Sequence, residues 1–484
     1  MRVALVHYHL QSGGVTRIIC HVLKALRARG IQCMVLTGKE PGFNISGTYR
    51  VVPGLQYELD RPKLSVQALT EQMRSAATEA LGGAPDLWHV HNHSLGKSLL
   101  LPLALRQMAS EGEHFLFHIH DFAEDGRPAN YRAMLQQMAG GQCDLLASQL
   151  YPQGDHVHYA VLNTRDHCYL QEAGLDEPQL HLLPNPVDLG KPSLAEAPLP
   201  GKLPLWLYPT RAIRRKNLGE FLLWSALVGE TTWFATTSAP ENPLEQPRYQ
   251  RWKQIAAELG LPVHFELVGP NGYGFIDLLR LADMAMTTSV AEGFGMAFLE
   301  PWTQTTPVCG RNLVEITRQF AIDALELPGC YDQLTVPLDW LGEERVRKAA
   351  ASGLCRNLAA YGRQPGKDDL ERCLQAWIKD GRIDFGRLDE PMQEDVLSQV
   401  VGHQAQAALV SPADLPDSAT MAAALNKNQE ILQRQYTLER YGERLEQIYD
   451  QVAGAAGSFC GQLDGGVLLD RFLAPERLHL LRVD

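Results

Sequence analysis

Residues 1–36 read MRVALVHYHLQSGGVTRIICHVLKALRARGIQCMVL. Positions 3–6 form a continuous apolar run, the pattern of a strand buried on both faces. A polar loop from His7 to Gly14 follows, and then Ile18, Ile19, Val22, Leu23 and Leu26 recur at helical spacing on one face. Gly30 is a natural helix stop, and positions 33–36 return to the strand pattern. Strand, helix and strand in so short a span make a βαβ unit, which builds parallel sheets through right-handed crossovers.

The alternation continues outward. Positions 86–91 and 115–120 read as strands with a helix over 99–108 between them, 145–147 and 159–162 as shorter strands, and 180–186 closes this half. Residues 190–204 are rich in proline and lack periodicity, as a linker does. A second series follows, with strands predicted at 205–208, 232–236, 263–268, 284–288 and 307–309, and helices at 218–228, 248–259, 275–281 and 296–304. The prediction is an α/β protein of two doubly wound, Rossmann-like domains facing across a cleft, with ligand taken at the carboxyl ends of the strands. The boundaries are 1–189 for the first domain, 190–204 for the linker and 205–430 for the second domain. Its stretch 320–430 reads as mostly helical and loop-rich, without a chemical motif. Positions 422–452 carry a long helical pattern of mixed charge, and 455–484 is a tail with no assigned role.

Composition removes several classes of function. The chain has 484 residues and carries 44 Lys and Arg against 56 Asp and Glu, for a net charge of −12, which argues against a basic nucleic-acid binder. Apolar residues make up 45% and charged residues 21%, as in a folded globular protein. Nine cysteines without a CxxC pair make neither a disulfide framework nor a zinc ribbon, and reduced thiols in the cytoplasm are the expectation. The opening apolar run is too short for a secretory signal, and the stretch at 99–105, broken by Pro102, is too short for a membrane span.

Four constellations could carry chemistry. Residues 291–300, AEGFGMAFLE, follow a buried strand and open a predicted helix, so glycines and unpaired helix-start amides would face a ligand, and a phosphate suits them. Glu292 lies in the turn and Glu300 about one and a half turns into the predicted helix, at the 3.6-residue helical repeat. Pro301 should kink that helix or deprive residue 297 of a hydrogen bond. Residues 210–217, TRAIRRKN, put Arg and Lys at the end of the first strand of the second half, where they can clamp a diphosphate. Ser12-Gly13-Gly14-Val15 is not GxGxxG, and no acidic residue closes the second strand, so a dehydrogenase is poorly supported. His89, His91 and His93 alternate, as do His118 and His120, which puts each set on one strand face. No third motif supplies partnering carboxylates, so these are read as cleft or core side chains and no metal is assigned.

Together these residues resemble the retaining GT-B glycosyltransferases close to glycosyltransferase family 4. The Gly-Gly-Val first loop, residues 86–91, His120-Asp121, Pro184-Asn185-Pro186-Val187-Asp188, Arg211-x4-Lys216 and Glu292-x7-Glu300 come in that family's order. The resemblance implies a GT-B fold in which a helix at 431–454 returns to the first domain. It implies that Arg211 and Lys216 hold the donor diphosphate, that Gly293, Phe294, Gly295 and Met296 help hold donor sugar and phosphates, and that Glu300 binds the ribose. Glu292 would sit near the transferred sugar, His120 would hydrogen-bond it, and Gly13 and Gly14 would let the first loop approach it. Glu292, His120, Arg211 and Lys216 are thus the implied catalytic set. The implied reaction moves a hexose from a nucleotide-diphosphate sugar, UDP- or GDP-hexose, to a hydroxyl of a small molecule or glycan, with retention by front-face displacement and no required cofactor. The chain departs from the family at Cys309-Gly310-Arg311-Asn312, where a Gly-Gly-rich segment is usual. An epimerase or phosphorylase of the same fold, and an inactive nucleotide-sugar-binding scaffold, are the alternatives. The acceptor is not assigned. The first half carries no basic amphipathic helix, which disfavours a membrane-lipid acceptor.

Overall fold

The computed structural model describes residues 1–188, 203–269, 272–412, 416–458 and 463–483, so all of the predicted linker but Leu203 and Pro204 lies outside the described residues. The chain divides into two units. The first comprises Met1–Pro186, Ala360–Gly362 and Tyr436–Leu473, and the second Val187–Ala359, Arg363–Gln435 and Ala474–Asp484.

Among the described residues, the first unit holds a seven-stranded parallel sheet: β1 (Arg2–His7), β2 (Gln32–Thr37), β3 (Thr48–Val51), β4 (Leu87–His91), β5 (Phe115–Ile119), β6 (Val157–Val161) and β7 (Leu180–Leu182). The order is β3-β2-β1-β4-β5-β6-β7, so the direction of winding reverses between β1 and β4. β4, β5 and β6 are buried at every position, which follows from helices covering both faces. Helix Gly14–Ala28 buries Ile18, Ile19, Val22, Leu23 and Leu26, the stripe its spacing predicts. Its core is shared with helix Leu438–Gly454, which contributes Tyr441, Leu445, Ile448, Tyr449 and Val452. The two helices touch at Gly442, where a Cβ would stand 3.2 Å from that of Ala25.

Several expectations are corrected here. Positions 145–147 lie in helix Cys143–Leu150, whose Leu146, Ala147 and Leu150 are buried, not in a strand. A short apolar run fits either element, and only tertiary packing decides. In place of one helix over 431–454 there are two, Ser418–Gln435 and Leu438–Gly454, separated at Thr437, whose hydroxyl caps the second by accepting from the amide of Arg440. The tail is divided between the units. Helix Gly465–Phe472 joins the first, with Phe472 against Phe122 at 4.9 Å, and the chain from Ala474 joins the second.

The second unit holds a six-stranded parallel sheet among the described residues: β8 (Leu205–Tyr208), β9 (Trp233–Thr236), β10 (Val263–His264), β11 (Met284–Thr287), β12 (Val308–Arg311) and β13 (Gly329–Tyr331), in the order β10-β9-β8-β11-β12-β13. Winding reverses between β8 and β11. β10 is shorter than predicted because Glu266 turns the chain away with φ +64. The predicted helix over 296–304 is broken into a single 3-10 turn, Met296–Phe298, and a four-residue helix, Glu300–Thr303. Pro301 explains the break: with no amide hydrogen to offer residue 297, it is tolerated only in a first turn.

The stretch 320–430 is mostly helical with loops, as expected, but it also carries short strands. Besides β13 it forms a three-stranded antiparallel sheet from β14 (Thr335–Pro337), β15 (Ile378–Lys379) and β16 (Arg382–Asp384), in the order β14-β16-β15. Arg311, the last residue of β12, stitches this addition to the parallel sheet. Its guanidinium is buried, with Nη2 donating to Glu220 at 2.5 Å and to Asp384 at 2.8 Å, and Nη1 to Asp384 at 2.9 Å. The Tyr331 hydroxyl donates to Glu220 at 2.7 Å, and Trp224 donates to that hydroxyl at 2.7 Å. Removing Arg311 would leave buried Glu220 without its cation and buried Asp384 with only Arg387, at 3.7 Å. Arg311→Met is therefore expected to destabilise the second unit by about 3–5 kcal/mol. Denaturant titration followed by tryptophan fluorescence checks this, because every tryptophan except Trp88 lies in that unit.

Candidate active site

In the second unit, β8 and β11 are neighbours at the reversal of strand order, where their carboxyl ends open a crevice. The loop after β8 carries residues 210–217 and the loop after β11 carries 288–300. Backbone and hydroxyl bonds clamp the two loops together. The amide of Val290 donates to the Arg215 carbonyl at 2.9 Å, Thr288 Oγ1 donates to the Asn217 carbonyl at 2.9 Å, and the Tyr208 hydroxyl donates to the Lys216 carbonyl at 2.7 Å. Asn217 accommodates the turn with φ +56, a conformation its short polar side chain tolerates.

The clamp brings Lys216 to Glu292, with Nζ donating to Oε1 and both side chains nearly buried. Arg215 stands beside them, donating to the Ala291 carbonyl at 2.6 Å and lying 3.4 Å from Glu292. Burial alone would raise the Glu292 carboxyl, but Lys216 and then Arg215 outweigh it and hold it below the usual carboxylate range. Burial lowers the Lys216 ammonium, and Glu292 offsets part of that effect. Glu292 is therefore ionised at neutral pH. Arg211 is not drawn into it: it is exposed and pairs with Glu241 at 2.7 Å. Arg214 is tied to Glu390 at 2.6 and 2.9 Å and to the Val483 carbonyl at 2.5 Å, which makes it part of the scaffold.

The turn after Glu292 has a steric reason for one glycine. Gly295 takes φ +88, and a Cβ there would stand 2.9 Å from the Phe298 ring and 3.2 Å from Ile316. Phe294 is buried edge-on against Phe320 at 5.8 Å, while Gly293 and Met296 are half-buried at the turn's open side. Glu300, expected well inside a helix, is the buried first residue of the four-residue helix.

In the first unit, Gly13 and Gly14 enter helix Gly14–Ala28 with open space around them; a Cβ on Gly14 would meet no protein atom within 4 Å. His120 follows the end of β5. Its amide donates to Asn92 Oδ1 at 2.7 Å, and its Nε2 lies 2.9 Å from Nδ1 of His91, so the two rings share a hydrogen bond. Register places the other rings: His91 is opposite His118 across β4 and β5, and His89 and His118 lie 3.2 Å apart through Nε2 and Nδ1. His89 Nδ1 shares a further bond of 2.7 Å with the Tyr449 hydroxyl. His93 lies beyond the strand, stacked on Phe117 at 4.1 Å. Burial pushes His120 down to about 3, and burial together with neighbouring histidines pushes His7 and His89 to about 3 and His91 and His118 well below the usual value. The array is therefore neutral. Among the described residues, His89, His91 and His118 are the set that could hold a metal ion, with a ligand atom from each within 4.8 Å of the others. Both nitrogens of His89 already make bonds, so an ion there would have to displace one of them.

Sequence reasoning overlooked Arg215, Asn92 and Tyr449. Arg215 sits inside the basic loop, and Asn92 sits where a strand ends, a position at which Asn with positive φ is a recognisable signal (φ +54 here). The Tyr449 contact spans 360 positions and has no local signature.

Residues 12–191 match the family model described as Glycosyltransferase Family 4. Mannosylglucosyl-3-phosphoglycerate synthase of Petrotoga mobilis is 26% identical over 325 residues, 61% of this chain, and the chain spans 61% of that relative's length. Among solved structures, sucrose-phosphate synthase from Thermosynechococcus elongatus matches with a TM-score of 0.55 at 17% identity, over 93% of this chain and 98% of that one. Anabaena HepE, solved in complex with UDP and glucose, matches with a TM-score of 0.54 at 14% identity, over 92% of this chain and 98% of its own. Among the described residues, no helix is long and apolar enough to cross a membrane. The resemblance is upheld at the level of the fold: this chain has the GT-B fold, and its residues 12–191 match the Glycosyltransferase Family 4 model.

Proposed function

We propose that the protein is a retaining glycosyltransferase that moves a hexose from UDP- or GDP-hexose to a hydroxyl of a small molecule or glycan. One observation carries this reading: the Arg-x4-Lys and Glu-x7-Glu segments, far apart in sequence, meet at the reversal of strand order through Lys216 and Glu292. Two named relatives support it: the synthase is named for making mannosylglucosyl-3-phosphoglycerate, and HepE holds UDP and glucose in its structure.

The chemistry follows from charge. As the bond from the anomeric carbon to the diphosphate breaks, negative charge builds on the leaving oxygen. Lys216 has three N–H donors and uses one on Glu292, which aims the others. Arg211 is held only by an exposed ion pair, worth about 0–1 kcal/mol, so the diphosphate can recruit it. The amides of residues 293–296 take the remaining phosphate oxygens, and Glu300 takes the ribose hydroxyls. Glu292, fixed as an anion, accepts from a sugar hydroxyl. His120, fixed as a neutral ring, can hydrogen-bond a sugar hydroxyl. The acceptor oxygen bonds to the anomeric carbon on the face the diphosphate leaves, and the acceptor proton passes to the departing diphosphate. The positive charge this step needs is supplied by Arg211 and Lys216, and no cofactor is assigned.

Lys216→Met and Glu292→Gln are each expected to lower transfer by about 100-fold or more, read by mass spectrometry with UDP- and GDP-hexoses and a mixed acceptor pool. Undiminished transfer in either variant removes the role assigned to it.

The neutral histidine array sets the acid limit of the first unit. His7, His89 and His120 fall to about 3 in the fold from 6.5. Below pH 6.5 the unfolded chain takes up protons that the folded unit refuses until near pH 3. Stability is thus full above pH 6.5 and falls through that window by about 1.4 kcal/mol per pH unit for each such histidine. Hydrogen exchange in β4 and β5 should report opening free energies that drop steeply from pH 6 to pH 4. Constant values across that range would show that these rings are charged or solvated.

A further inference from the structure

Lys97 is the observation that the transfer reaction, as derived so far, does not use. It is half-buried in the loop after β4, with its ammonium 5.2 Å from the centre of the Tyr57 ring. Among the described residues, no carboxylate pairs with it. The obvious partner is next to it and is turned away. The amide of Glu58 donates to the Lys97 carbonyl at 2.7 Å, yet the Glu58 carboxylate is taken by Arg61, at 2.9 Å from Nε, and by the amide of Leu99 at 2.8 Å. Asp60 is taken by Lys39 at 2.7 Å. The charge that bears on Lys97 is another cation, Arg127, in the loop after β5, whose Nη2 rests 3.2 Å from Asp121. Burial and then Arg127 lower the Lys97 ammonium, and burial and then Lys39 lower His9.

The surroundings are rigid. His9 Nε2 and the Tyr57 hydroxyl lie 2.8 Å apart, which fixes the ring beneath the ammonium. Gly96, at φ +72, lets the Lys97 loop lie against Asn130, where a Cβ would be 2.9 Å from Asn130 Cβ, and Asn130 Nδ2 donates to the Leu95 carbonyl at 2.8 Å. His9 follows β1, Lys97 follows β4 and Arg127 follows β5, so the group sits at the carboxyl ends of the strands around the reversal of winding. A partly buried, uncompensated cation held there by packing costs stability unless a ligand supplies the counter-charge.

We propose that Lys97, with Arg127, His9 and Tyr57 around it, forms an anion site that takes the phosphate of a small, soluble phosphomonoester, and that this phosphomonoester is the glycosyl acceptor. The ammonium offers its donors to the phosphate oxygens, Arg127 offers those not used on Asp121, and the Tyr57 ring forms one wall. The word acceptor rests on the transferase reading above; the anion site itself does not.

The test uses the full chain, titrated calorimetrically with inorganic phosphate, glucose 6-phosphate, glucose, UDP and GDP, in the native protein and in Lys97→Met, Lys97→Arg and Lys216→Met. The native protein should bind glucose 6-phosphate and inorganic phosphate but not glucose. Lys97→Met should weaken both by about tenfold or more, Lys97→Arg should keep most of the affinity, and UDP binding should respond to Lys216→Met instead. Equal phosphate affinity in the native and Lys97→Met proteins, or loss only in Lys216→Met, overturns the site. Binding through Lys97 to phosphatidic acid vesicles with none to glucose 6-phosphate overturns the soluble ligand. Phosphate binding that depends on Lys97 in a protein that binds neither UDP nor GDP upholds the site and removes the transferase reading; UDP or GDP binding without phosphate binding does the reverse.

Discussion

Every strand of the two large sheets runs parallel to its neighbours, and this constraint determines where chemistry can be placed. A parallel sheet sends all its carboxyl ends to one edge, and crossover helices occupy both faces, so the loops at that edge are the main open positions. Where winding reverses, consecutive loops part and leave a crevice. Both sheets reverse once, at β1/β4 and at β8/β11. The residues that matter lie after those strands: His9 after β1, Asn92 and Lys97 after β4, Lys216 after β8 and Glu292 after β11. His120 and Arg127, after β5, are one strand further along.

Buried charge is handled in three ways, and the differences separate scaffold from site. Arg311 is surrounded by Glu220, Asp384 and backbone, and nothing in its environment calls for a ligand. Such saturation holds elements together. Lys216 is half satisfied: one carboxylate aims it, and donors remain. Lys97 lies over a ring with no counter-charge among the described residues and a second cation nearby. Satisfaction falls in that order, and the readiness of each group to bind an external anion rises with it.

The sheets were legible because the strands are short apolar runs bounded by loops and alternating with helical stripes. Residues 3–6 and the stripe from Ile18 to Leu26 are found where their pattern puts them. The failures occur where local pattern is degenerate. Residues 145–147 are too few for a period to show, and burial of Leu146 and Ala147 against the fold makes them helix. Residues 296–304 are helical in composition, and Pro301 was noticed, but the chain responds by restarting the helix instead of bending it. The addition at 329–384 is built from two- and three-residue strands anchored by Arg311, and no window of sequence that small carries a strand signal. Of the site, Lys216 and Glu292 could be named because they sit in spaced motifs. Lys97 could not: its significance is that Glu58, close in space, binds something else, which only the folded chain reveals.

The histidines of the first unit complete the same argument. An aliphatic residue at 89, 91, 118 or 120 would pack as well on the sheet face, so burial alone does not explain imidazoles there. What imidazoles add is a set of hydrogen bonds without charge: Tyr449 to His89, His89 to His118, and His91 to His120. A ring held neutral can present one donor or one acceptor to a hydroxyl without drawing a phosphate toward it. The cationic group around Lys97, at the same edge of the sheet, does the opposite. The edge is thus divided between a neutral part suited to sugar hydroxyls and a charged part suited to an anion. That division requires His120 to stay deprotonated while Lys97 stays charged, and full burial of the His120 ring meets the first requirement.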